Sequence, residues 1–279
     1  MMLIAVLGAA ISLGQAVSEV ACWSENRLES GPIVRAYDTG YVLTIAPSAN
    51  PDLEYGCRVE VRDNSGRVVF AGEGFNTRLH PESGRDVDGD GHGDLIIGVD
   101  SGGGNRCCWE YSVISLYPAA RVLAGFDNPA FETDAQGRTV VWTTVALYDL
   151  GPSMAASPTL EIAEQFRSGQ LVDVTAEYCD AMFAGTVRGY GDLSGDLALV
   201  AEPKKTASKE AGRQPSYEIG ETRAAAYTIA LQLTYCGRSS SAAALIREVW
   251  PDSMQAEVTR NVTDAVARER SQRHPAHRR

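Results

Sequence analysis

The run DVDGDGHGDLIIGVD, Asp86–Asp100, decides the fold. Asp86, Asp88, Asp90 and Asp94 stand at positions one, three, five and nine of a loop, with Gly91 at six and His92 at seven. Alternate residues of a tightly turning loop aim their oxygens at one centre, and a hard cation of calcium's size accepts six to eight of them. Glycine at the sixth position permits the sharp turn. The spacing predicts a calcium site built from the carboxylates of Asp86, Asp88, Asp90 and Asp94 and the backbone carbonyl of His92. Like charges crowded together are costly unless a cation sits among them, so the loop asks for Ca2+.

The residues after the loop set the architecture. A calcium loop between helices carries a bidentate Glu at position twelve, where this chain has Ile97. The apolar run LIIGV, Leu95–Val99, reads instead as a strand. Working outward, CRVEVRD puts Cys57, Val59 and Val61 on one face and Arg58, Glu60 and Arg62 on the other, the alternation of a half-buried strand. Asn64, Ser65 and Gly66 supply a turn and RVVFAGEG returns, which makes a hairpin. Similar runs are GPIVRAYD, YVLTIAP, DLIIGVD, YSVISLYP, RVLAGF, TVVWTTVALYD, PTLEIAEQF and QLVDVT, evenly spaced with Gly, Asn or Asp between most of them. The predicted fold class is mainly β with a C-terminal α domain. The strands form an antiparallel meander, sandwich-like or a few blades of a propeller, and a small helical bundle comes after them.

Beyond Val174 the texture becomes alanine-rich and helical. ETRAAAYTIALQLTYCG aligns Ala224, Tyr227 and Leu231 and stops at Gly237, a C-terminal cap. Serines 239 to 241 are placed to cap AAALIREVW, which Pro251 ends. DSMQAEVTRNVTDAVARER starts with Asp252 or Ser253 as cap and repeats Met254, Val258, Val262 and Val266. The piece from Thr175 to Ser216 reads as helix and then a polar linker, EPKKTASKEAGRQPS. The predicted layout is a signal peptide over 1–18, a β domain over 19–174 holding the loop 86–94, a helical domain over 175–267 and a disordered basic tail over 268–279.

The ends, charge and cysteines agree on a compartment. MMLIAVLGAAISLGQAVSEVAC has an apolar run from Leu3 to Leu13, then small residues, with Ala16 and Ser18 placed for cleavage before Glu19. No later segment has the length and hydrophobicity of a membrane span. Six cysteines, Cys22, Cys57, Cys107, Cys108, Cys179 and Cys236, form no CxxC pair and read as disulfide candidates with open connectivity. Neighbouring strand residues face opposite ways, so Cys107 and Cys108 are expected to bond different partners, such as Cys57 or Cys22. These features together predict a periplasmic or secreted protein. A formal charge of −11 argues against nucleic acid or an anionic membrane surface as partner.

Catalytic signatures are missing. The histidines are His80, His92, His274 and His277, and the chain holds no HExxH, GxSxG, Walker loop or dinucleotide fingerprint, so no enzyme activity is expected. Trp109, Tyr111, Trp142 and Trp250 read as core aromatics.

On these residues the chain resembles bacterial exported proteins of uncharacterised function with an FG-GAP or VCBS-like repeat. Their signature is a DxDGDGxxDL loop, a strand and a Ser-Gly-Gly-Ala-His-Cys-Cys segment. The loop matches from Asp86 to Leu95, and SGGGNRCC, Ser101–Cys108, stands for the second part. The similarity continues through AFETDAQGRTVVW as a weaker repeat, then AASPTLEIAEQF, GQLVDVT and REVWP. Two departures matter. Asn105 and Arg106 replace the histidine, which removes a ligand from any His/Cys/Cys transition-metal site. The weaker repeat keeps Asp134 and Gly137 without the other acids, so one calcium is expected. GDLSGDLALV, Gly191–Val200, resembles a clipped loop with too few acids and reads as structural. The expected function is that of an exported calcium-stabilised module binding a protein or glycan. The alternatives are a calcium-dependent hydrolase of envelope or extracellular polymers and a structural assembly component.

Overall fold

The computed structural model describes residues 20–22, 32–53, 56–102, 109–150, 157–185 and 217–273. The predicted signal peptide, Cys107 and Cys108, the clipped loop 191–200, the polar linker and the end from His274 lie outside the described residues. The strands are β1 (Val20–Ala21), β2 (Ile33–Ala36), β3 (Val42–Pro47), β4 (Cys57–Arg62), β5 (Val68–Gly74), β6 (Asn76–Leu79), β7 (Leu95–Asp100), β8 (Trp109–Ser115), β9 (Arg121–Asp127), β10 (Ala130–Thr133), β11 (Thr139–Ala146), β12 (Thr159–Arg167) and β13 (Gln170–Asp173). The helices are α1 (Thr175–Phe183), α2 (Tyr217–Tyr235), α3 (Ser239–Val249) and α4 (Asp252–Arg273).

The expected mainly β architecture with C-terminal helices is present. Three sheets run in chain order as β2-β3-β4-β5, β1-β6-β7-β8-β9 and β10-β11-β12-β13. Each holds four consecutive strands joined as an up-and-down meander, and the short β1 adds to β6 antiparallel, Val20 opposite Leu79. The chain forms two compact units, one holding β1 to β7 and the other β10 to α4, with β8 and β9 contributing to both.

In the first unit the alternation of β4 is realised: Cys57, Val59 and Val61 are buried and Arg58 is exposed. The two valines join Leu43, Ile45, Leu79, Leu95, Ile97, Ile114 and Leu116 in one core. The Cys22–Cys57 disulfide pins the chain start to β4. It corrects the expectation that Cys22 or Cys57 bonds Cys107 or Cys108, because both are already spent on each other.

In the second unit β12 explains why helices are needed. Strand β13 pairs only with the C-terminal half of β12, from Glu164 to Arg167, and leaves the preceding edge open. Side chains close it: Thr159 N–H donates to Thr228 Oγ1 at 3.1 Å, Glu161 N–H to Gln232 Oε1 at 3.0 Å and Ala163 N–H to Thr175 Oγ1 at 3.0 Å. Gln232 also returns a hydrogen bond from Nε2 to the Glu161 carbonyl. Buried backbone donors must find partners, and an unpaired edge invites aggregation, so this covering matters. Leu160 and Ile162 then pack with Ala226, Ala230 and Leu231 of α2, Ile246 of α3 and Val258, Val262 and Val266 of α4.

The helices therefore do not make a separate domain beginning at 175, because their buried faces share a core with β12. Gly237 ends α2 with a φ of +75°, as its position predicted. The serines at 239–241 form the first turn of α3 without a side-chain capping bond. Met254 is exposed, while the other three members of the α4 stripe are buried. Helix α4 runs through Arg273, so residues 268–273 are not part of a disordered tail. Arg268 pairs with Asp149 and Arg273 with Glu164, and these acids give the charged end something to fold against. Cys179 of α1 bonds Cys236, just past α2. Tyr111, Trp142 and Trp250 are core residues and Trp109 is half-buried.

Candidate metal centre

The loop 86–94 connects β6 to β7, and its neck is tied before any acid is placed. His80 N–H donates to the Ile96 carbonyl at 2.9 Å, Gly84 N–H to the Asp94 carbonyl at 2.7 Å and Asp94 N–H to the Arg85 carbonyl at 2.8 Å. Ser83 Oγ both donates to the Ile96 carbonyl and accepts from its N–H. Gly93 is required here: a Cβ on it would sit 2.5 Å from the Gly84 carbonyl oxygen. Ser83 and Gly84 were missed by sequence reasoning, since nothing in their spacing marks them. Val87, between the first two acids, is buried.

Within the loop, the Asp86 carboxylate organises the turn. Its Oδ1 accepts from Gly89 N–H at 2.7 Å and Asp90 N–H at 3.1 Å, and its Oδ2 from Gly91 N–H at 2.9 Å. Gly91 holds a φ of +87°, a left-handed conformation that glycine adopts without strain. Asp88 Oδ1 accepts from Asp90 N–H at 3.1 Å. The result is that Asp86, Asp88 and Asp94 each bring a carboxylate oxygen to within 4.8 Å of the others. Asp94 is fully buried and Asp88 is 5% exposed.

Asp90 does not join this group: its Oδ1 accepts the His92 N–H at 2.8 Å and its side chain lies on the exposed rim. The structure thus brings together three of the four predicted carboxylates. The placement of His92 is given by that N–H, which faces Asp90, and its ring is not in the acidic group.

Three like charges at this range repel by roughly 3 kcal/mol per pair at an effective dielectric near 20. Burial of Asp88 and Asp94 deepens the cost, since water cannot screen them. The donors are all oxygen, without sulfur or imidazole, a set that suits a hard cation and not a thiophilic metal. These residues fit a hard cation.

The turn at Asp134 is built differently. Asp134 Oδ1 accepts from Gln136 N–H and Arg138 N–H, and Oδ2 pairs with Arg138 Nε at 2.8 Å and accepts from Gln165 Nε2 at 3.2 Å. Burial works to raise the Asp134 pKa, but the hydrogen bonds from Arg138, Gln165 and Gln136 outweigh it and hold the carboxyl below its ordinary value. Its charge is satisfied by the protein itself.

Fold and loop together define a disulfide-bonded, mainly β protein with C-terminal helices and, among the described residues, one acidic, metal-competent loop. No protein-family model, no curated protein and no solved structure matches the chain. Among the described residues no helix is long and apolar enough to cross a membrane.

Proposed function

We propose that the chain is an exported calcium-binding protein of FG-GAP or VCBS-like type, in which the ion is structural and neighbouring loops contact a protein or glycan. The observation that carries this reading is the convergence of Asp86, Asp88 and Asp94 on one point of a loop whose neck is fixed by β6 and β7. Calcium there supplies a cross-link between three parts of the loop. Asp86 holds the turn, and Asp88 and Asp94 bring buried carboxylates to the same point. The three successive four-strand meanders support a propeller-like arrangement of blades, with the acidic loop as the first connection of the middle one. Two disulfides support an oxidising compartment, the periplasm or the outside of the cell.

The test is thermal unfolding with calcium and with chelator, paired with calorimetric titration. One calcium per chain and a higher melting temperature with calcium are expected. At free calcium a hundred times Kd the gain is about 2.7 kcal/mol. Asp88→Ala should remove both signals. Equal melting of the native chain in calcium and chelator refutes the reading.

A further inference from the structure

A second concave site lies far along the chain from the acidic loop. A cavity of about 420 Å³ is lined by Leu171, Val172 and Asp173 of β13, Ala176 of α1, Tyr235 at the end of α2, and Arg270 and Arg273 in the last turn of α4. Its size falls in the range of small-molecule pockets. The wall is mainly apolar, and the polar groups on it divide into spent and unspent.

Asp173 is spent. Its Oδ1 accepts from Thr175 N–H and Thr175 Oγ1–H, and its Oδ2 from the Tyr235 hydroxyl. Three of about four acceptor positions of the carboxylate are thereby filled. Tyr235 is kept neutral, since burial and then the bond to Asp173 push its pKa up. Arg273 is paired with the buried Glu164 at 2.9 Å. Arg270 is different. It stacks on the Tyr235 ring, 5.0 Å from the centroid, and one Nη2 hydrogen bond goes to the Tyr235 backbone carbonyl. Among the described residues no carboxylate lies within ion-pair distance of it. A guanidinium has five N–H donors in a planar fork, so the one bond to the Tyr235 carbonyl leaves most of Arg270's donor capacity over, with the ring stacked against it.

We propose that this cavity binds a small organic carboxylate, its anionic group on the Arg270 fork and its apolar body against Leu171, Val172 and Ala176. A planar carboxylate matches the fork through two parallel hydrogen bonds, and the positive charge of Arg270 is the one on this wall without an anionic partner among the described residues. The apolar side would reject fully hydrated ions such as phosphate, which leaves nothing to cover those three side chains.

The experiment is calorimetric titration of the full oxidised chain with 2-naphthoate, and with 2-naphthamide as the neutral comparator of equal shape. Saturable one-to-one binding of the acid, with the amide weaker by roughly tenfold or more, is expected from one charge-assisted pair. Arg270→Gln should weaken the acid by a similar factor and leave the amide where it was. Ala176→Trp, which fills the cavity from α1, should abolish binding of both, and Arg268→Gln, whose partner is Asp149 outside the cavity, should change neither. Circular dichroism checks that each variant is folded. The proposal is overturned by acid and amide binding alike, by unchanged affinity in Arg270→Gln, or by no saturable binding of the acid up to its solubility limit. Titration with calcium and with chelator keeps this result apart from the fate of the acidic loop.

Discussion

The loop at Asp86 and the turn at Asp134 begin with the same device and end with opposite charge. In each, an aspartate accepts N–H groups from the residues after it, a glycine stands three positions on, and the fourth residue donates its N–H to the same Oδ1. That fourth residue is Asp90 in the loop and Arg138 in the turn. Arg138 turns back and neutralises Asp134; Asp90 brings no positive charge to Asp86 and turns its carboxylate to the His92 N–H. The hairpin turn between β4 and β5 repeats the second solution, with Arg67 donating from N–H and Nε to Asp63 at 3.0 Å each. An Asp/Gly turn therefore carries its own counter-charge or another acid according to one side chain, and the backbone hydrogen bonds barely distinguish the two.

The contrast is tested most forcefully at Asp90. Asp90→Arg should bring a guanidinium to Asp86, as Arg67 and Arg138 do in their turns, raise the stability of the calcium-free protein and abolish the calcium response of about 2.7 kcal/mol expected at a hundredfold excess over Kd. Melting in calcium and in chelator reads it, and an intact calcium response in the variant would mean that the fourth side chain does not decide between the two solutions. A smaller effect is expected in the turn. Arg138→Gln removes an ion pair whose acid side chain is only 4% exposed while the arginine is 43% exposed, so a loss of about 1 kcal/mol is expected in urea unfolding, identical with and without calcium.

The smallest effect is a pH dependence. The Ser65 hydroxyl, and then the N–H groups and guanidinium around it, lower the Asp63 pKa from 3.8 to about 2. A folded pKa below the unfolded one contributes stability that is full above the unfolded value and disappears as pH falls through the folded one. The difference in stability between the native chain and Asp63→Asn should thus hold near neutrality and shrink between about pH 4 and pH 2. A constant difference across that window contradicts the assignment.

How much of this was legible in the sequence depended on how local each signal is. The strands with one buried face, β4 above all, announced themselves by alternation. Strand β12 was legible as apolar but not as buried on both faces, because Glu161, Glu164 and Gln165 look like solvent positions until Thr144, Arg273 and Asp134 are seen beside them. Strand β6, with the sequence NTRL, carried too few apolar residues to stand out and exists because β7 pairs with it. Polar Thr228 and Gln232 were invisible as core residues of α2 because their task is to close an edge of another element.

The acidic loop was readable because its ligands are neighbours in sequence, though the outward placement of Asp90 was not. The end of α4 was misread as tail because charge alone suggested solvation, and the partners Asp149 and Glu164 lie more than 100 residues earlier. The cavity beside Arg270 was lost with it.

Cys22–Cys57 and Cys179–Cys236 close stretches of 35 and 57 residues, and each cross-link contributes about 4 kcal/mol in the chain-entropy account. They also make the covalent integrity of the molecule independent of its backbone there. A protease that cuts once between α1 and α2 leaves two polypeptides still joined through Cys179 and Cys236, with β12 and the Thr228 and Gln232 side chains that cover it on opposite pieces.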